Sequence, residues 1–63
     1  MKEFIAKGSR QVDLCMRMLF HHGIPFRVIP HKDDKERVYY TVEVNVGKQK
    51  YNELSDLYKT LIK

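Results

Sequence analysis

The stretch from Gly8 to Pro30 carries its own punctuation. Ser9 is a preferred helix N-cap, and Val12, Cys15, Met16 and Leu19 follow at i, i+3, i+4 and i+7, the spacing of one helical face. Gly23 suits the left-handed end of a helix, and Pro25 blocks its continuation. Phe26-Arg27-Val28-Ile29 then reads as a strand, with Pro30 ending it or marking a bulge. The block therefore predicts a turn at Lys7-Gly8-Ser9-Arg10, a helix from about Arg10 to His22 and a return strand.

The flanking segments extend the pattern. Residues 2–7 alternate, with Phe4 and Ala6 on one side and Ile5 on the other, and read as a first strand. His31 to Glu36 is polar and mixed in charge, the composition of a mobile loop. Arg37 to Val46 places Val38, Tyr40, Val42, Val44 and Val46 in strict alternation with Tyr39, Thr41, Glu43 and Asn45, a strand with one face buried and one wet. Residues 47–51 admit either a helix start or a short strand ending near Tyr51. Asn52 is a good N-cap, and Leu54, Leu57, Tyr58 and Leu61 then follow a helical period.

The expected order is β-α-β-β-α in a single domain spanning residues 1–63. That is an α+β two-layer sandwich, a ferredoxin-like unit lacking its last strand. The expected core is Phe4, Val12, Cys15, Leu19, Phe26, Val28, Val38, Tyr40, Val42, Val44, Leu54, Leu57, Tyr58 and Leu61. A chain of 63 residues has little surface to bury, and one cysteine cannot close an internal disulfide. An absent last strand would also leave a sheet edge unpaired. The apolar arc of the first helix, from Met18 to Phe20, spans roughly 200°, with Leu14 just beyond Met18, so Leu14 and Met18 exceed what one sheet face needs. Together these point to self-association, with Leu14, Met18 and Phe20 as the candidate interface.

The chemistry-bearing residues are few. Cys15 lies on the apolar helical face, where a thiol is structural. His21 and His22 diverge by about 100° on a helix and cannot share one ion, and no zinc-type spacing joins them to Cys15 or His31. No catalytic residue, metal site or cofactor is expected, so the chain reads as non-enzymatic. The net charge of +4 leans towards anionic partners, although acidic residues interrupt the basic ones throughout. Lys7, Ser9 and Arg10 form a turn with the elements of an anion site. Arg27 and Tyr39 share an open sheet face with Ile5, Lys7, Ile29 and Thr41, a candidate nucleic-acid surface. No apolar run reaches membrane length and one free thiol suits a reducing compartment, so a cytoplasmic protein is expected.

Two family resemblances are carried by short motifs. Phe4-Ile5-Ala6-Lys7, Leu19 and Gly23-Ile24-Pro25-Phe26 resemble the opening of a glutaredoxin, but Ser9 and Val12 stand where that family carries its redox cysteines. The whole chain resembles small bacterial signal-transducing domains. The matching pieces are the strand Lys2–Lys7, the helix into Gly23-Ile24-Pro25, the strand Thr41-Val42-Glu43-Val44 and the helix Leu54–Ile62. This resemblance implies a fold and no site. In general style the chain is also similar to small bacteriophage accessory and anti-defence proteins. The leading expectation is a module that binds or inhibits a larger protein, as a homo-oligomer. The alternative is a nucleic-acid or nucleotide binder using the open sheet face and the Lys7–Arg10 turn.

Overall fold

The computed structural model describes residues 2–63. Five elements follow in the order β1 (Lys2–Ala6), α1 (Ser9–His21), β2 (Phe26–Lys32), β3 (Val38–Val44) and α2 (Lys48–Leu61). The strands form one sheet in the order β1-β3-β2, with both outer strands antiparallel to β3. β1 and β2 therefore run parallel to each other without being neighbours. The fold is a two-layer α+β sandwich.

The alternation in β3 sets the layers. Val42 and Val44 are buried, and Val42 sits between its partners Phe4 of β1 and Val28 of β2. Phe4, Ala6, Val42 and Val44 join Val12, Cys15, Met18 and Leu19 of α1 and Leu54 and Tyr58 of α2 in one buried cluster. Both helices thus cover the same sheet face, and the opposite face has no covering layer. Phe26, Val28 and Tyr40 pack against this cluster while partly exposed.

Several expectations are corrected. Val38 belongs to the core-side row but is 42% exposed, because it pairs with Lys32 at the far end of the sheet. Leu57 and Leu61 also lie at the surface. Met18, expected at an interface, is only 4% exposed and sits in the cluster that contains Leu54 and Tyr58. The second packing partner demanded by the wide arc of α1 is α2 of the same chain. Pro30 neither ends β2 nor forms a bulge. The register continues through it to His31 and Lys32, which belong to the strand rather than to a loop.

The remaining connection is tightly bonded. Asp33 Oδ1 accepts hydrogen bonds from the backbone N–H groups of Lys35 and Arg37, both at 2.9 Å. The Glu36 N–H donates to the Asp33 carbonyl, and Glu36 takes a left-handed φ of 61°. A short polar side chain folded back on the following main chain is what permits so close a turn.

The Ser9 and Asn52 caps expected from sequence are not used, while residues 47–51 take the helix start of their two alternatives. α1 is preceded by Gly8 at φ 91°, and Ser9 lies inside the first turn with no side-chain cap hydrogen bond at this end. Gln11 instead ties the entering chain to the helix, its Oε1 accepting from the Lys7 N–H at 2.9 Å, one residue before the N-cap Gly8. α2 begins at Lys48 after Gly47, so residues 48–51 are helical and Asn52 is an interior residue. Ser9→Ala should therefore change stability by less than ~0.5 kcal/mol, as an ordinary surface substitution does. Urea denaturation measures this, and a loss of ~1 kcal/mol or more would restore Ser9 as the cap.

Candidate functional site

The sheet has two outer edges, and they are treated differently. On β1, the Tyr51 hydroxyl donates to the Glu3 carbonyl at 2.7 Å and the Tyr58 hydroxyl donates to the Ile5 carbonyl at 3.1 Å. Glu3 and Ile5 are alternate residues, the spacing at which an edge strand turns its main chain outward. Two tyrosines of α2 thus take up two outward carbonyls on the edge that a missing strand would have covered. Phe4 lies between them, 5.0 Å from the Tyr51 ring and 5.7 Å from the Tyr58 ring.

On β2 the register carries the same alternation across. Glu3 and Ile5 turn outward, so Glu43 and Thr41 opposite them face β2, and Arg27 and Ile29 bond back to β3. Phe26, Val28, Pro30 and Lys32 then turn their main chains to the open side. Pro30 fits there because its missing N–H removes no ladder bond. It also shortens the stretch on which another strand could pair, leaving Phe26 and Val28 with both donor and acceptor.

Beside that stretch lies a groove of about 610 Å³ lined by Met16, Arg17, Phe20, His21 and Phe26. Phe20 is 82% exposed, the most exposed large apolar side chain among the described residues. Of the three residues expected at an interface, the structure leaves Phe20 free, buries Met18 and half-buries Leu14. Phe20 and Leu14 point to different sides of α1, being six residues apart on a helix.

The open sheet face carries the second surface. Its rows across the strands are Glu3, Glu43 and Arg27, then Ile5, Thr41 and Ile29, then Tyr39 and His31. The Tyr39 and His31 rings stack at 4.9 Å between centroids with 20° between planes. His31 Nε2 lies 3.0 Å from Thr41 Oγ1, which fixes the imidazole orientation. Arg27 Nε is 4.0 Å from Glu43 Oε1. A concavity of about 540 Å³ adjoins Tyr39, lined by Ile5, Lys7, Gly8, Asp33, Arg37, Val38 and Tyr39.

The expected anion residues are thereby divided. Lys7 and Tyr39 line the concavity, Arg27 sits with Glu43 at the other end of the face, and Ser9 and Arg10 are exposed on α1 without lining it. His31 and Arg37 were not among the expected contacts. Reading β2 through Pro30 would have placed His31 opposite Tyr39.

Cys15 is fully buried, and desolvation pushes its thiol from 9.0 up to about 11. That is the reverse of what a nucleophilic cysteine needs. His21 and His22 meet edge to face, with centroids 5.5 Å apart. Among the described residues no three His, Cys, Asp or Glu side chains are grouped to hold a metal ion. Nor is any helix among them long and apolar enough to cross a membrane. In comparisons with family models, curated proteins and solved structures, nothing matches this chain.

Proposed function

We propose that this chain is a non-enzymatic binding module that docks on a larger protein through the free edge of β2 and the groove beside it. The observation that carries this reading is Phe20. It is 82% exposed in a groove shared with Met16 and Phe26, along the edge that tyrosine hydroxyls leave open. An extended segment laid against β2 gains main-chain hydrogen bonds at Phe26 and Val28 and a side-chain pocket at Phe20. Main-chain pairing supplies affinity in this mode, and the pocket supplies selectivity. A second copy of the chain can use the same edge, antiparallel and two-fold symmetric, so the free protein is a homo-oligomer in this reading.

Phe20→Glu is the test, because so exposed a side chain can be changed without disturbing the core. Wild type and variant should share one circular dichroism spectrum, and the wild-type melting temperature should exceed the variant's only at concentrations where it assembles. Light scattering at tens of micromolar protein should show an assembly for wild type and a monomer for the variant. Affinity capture from source cells should retain a protein on wild type that the variant loses. Equal capture by both proteins would reject this edge as the docking surface. A monomeric wild type would remove the self-pairing.

A further inference from the structure

We infer that the open sheet face binds single-stranded nucleic acid, with one base stacked on Tyr39 and the adjoining phosphates held by Lys7 and Arg37. The ring of Tyr39 has two faces. His31, on the β2 side, occupies one of them. A concavity adjoins Tyr39, lined by Ile5, Lys7 and Gly8 of the β1 end and by Asp33, Arg37 and Val38, and the base is placed there, on the ring's free face. A flat ligand entering there extends an existing stack, against a partner ring whose orientation Thr41 already holds. Base-on-aromatic stacking tolerates any sequence, since every base offers a π-face.

The charges fit a phosphodiester chain. Ala6 opposes Tyr40, so Lys7, one position further, comes beside Tyr39. Arg37, directly before β3, lines the same concavity. Asp33 is the acid among the lining residues, and its carboxylate oxygen Oδ1 is taken up by two backbone N–H groups. Two cations from separate segments, one after β1 and one before β3, suit phosphates on both sides of one base, which a strand supplies and a free nucleotide does not. Ile5, 48% exposed, and Ile29 in the same row give the sugars an apolar floor. The site ends short of Arg27, which faces Glu43 with Glu3 across the strand. An acidic peptide would match the two cations but has no flat ring for Tyr39. A duplex hides its bases from such a platform.

The probe is a fluorescein-labelled ten-nucleotide oligothymidylate, followed by anisotropy over a salt series, with a duplex of equal length alongside. Wild type should bind the single strand more tightly than the duplex. Tyr39→Ala should weaken binding about tenfold or more, while Tyr39→Phe, which keeps the ring, should stay within about twofold. Arg37→Ala should lower the slope of log affinity against log salt by about 0.7. Absence of binding at low salt overturns the inference. So does equal affinity for duplex, or a Tyr39→Ala variant that binds unchanged. Thymidine monophosphate competing as well, nucleotide for nucleotide, would make the site one for free nucleotides and overturn the strand.

Discussion

Val42→Asp is expected to abolish folding at neutral pH. Val42 is fully buried at the centre of the middle strand, with Phe4 and Val28 as its Cα partners on either side. An ionised carboxylate there loses its water and finds no cation, at an effective cost of several kcal/mol. Small domains hold roughly 0.05–0.15 kcal/mol per residue, so a chain this short has only a few kcal/mol to lose. Val42→Ala removes two methyl groups and should cost ~1–3 kcal/mol, leaving a folded but weakened protein. Ile5→Asp supplies the control, because Ile5 lies on the open face one position from Phe4. It should stay within about 1 kcal/mol of wild type. A slip of one residue in register would exchange these results. Thermal unfolding by circular dichroism reads all three. A cooperative transition for Val42→Asp near the wild-type temperature would reject this register.

The buried face of β3 was legible in the alternation from Val38 to Val46, because apolar residues at every second position put one face of a strand inside. The helix of the Gly8–Pro30 block was legible for the same reason, with its stop at Gly23 and Pro25. The errors fall where tertiary context outweighs local signals. Proline usually closes a strand, but at an outward-facing edge position it removes no hydrogen bond, so β2 runs on and carries His31 to Tyr39. Lys48, Gln49 and Lys50 have no apolar period, so helix and strand could not be told apart there. Ser9 has the right chemistry for a cap, but the chain enters α1 one residue earlier, through Gly8. Met18 read as surplus because one sheet face was counted as the partner of α1. α2 covers it as well.

The tyrosines of α2 hold the clearest lesson about the site. Tyr58 follows the apolar period of its helix and reads as core, which it is. Nothing in spacing announces that its hydroxyl, with that of Tyr51, would close the β1 edge. Such a role depends on where a helix lies relative to a strand about fifty residues away in sequence. The open face was more legible, since Ile5, Lys7, Arg27, Ile29, Tyr39 and Thr41 all follow from strand parity. The β2 edge became the exposed one only once α2 was seen to cover the other.

Stability should fall steeply above about pH 9, and Cys15 should be the largest single cause. Burial raises its thiol from 9.0 to about 11. Burial also raises the Tyr58 hydroxyl from 10.0 to about 12, with a smaller contribution from the charge that Cys15 would carry. The sign follows from which state holds the proton. Between pH 9 and 11 the folded protein keeps the Cys15 proton while the unfolded chain releases it. The unfolded state is therefore favoured as pH rises, and the contribution of the neutral thiol is complete only below pH 9. For Cys15 the loss is on the order of 2–3 kcal/mol by pH 11, a large share of a small domain's stability. Tyr58 adds to it from pH 10 upward. Lysines and the other tyrosines titrate in the same range, so the measurement has to be a difference. Urea midpoints for wild type and Cys15→Val at pH 8, 9, 10 and 11 supply it, since valine keeps the site filled without a proton to lose. The wild-type curve should drop towards that of the variant, or cross it, by ~2–3 kcal/mol over this range. Parallel curves would mean that the thiol is not buried as the structure places it.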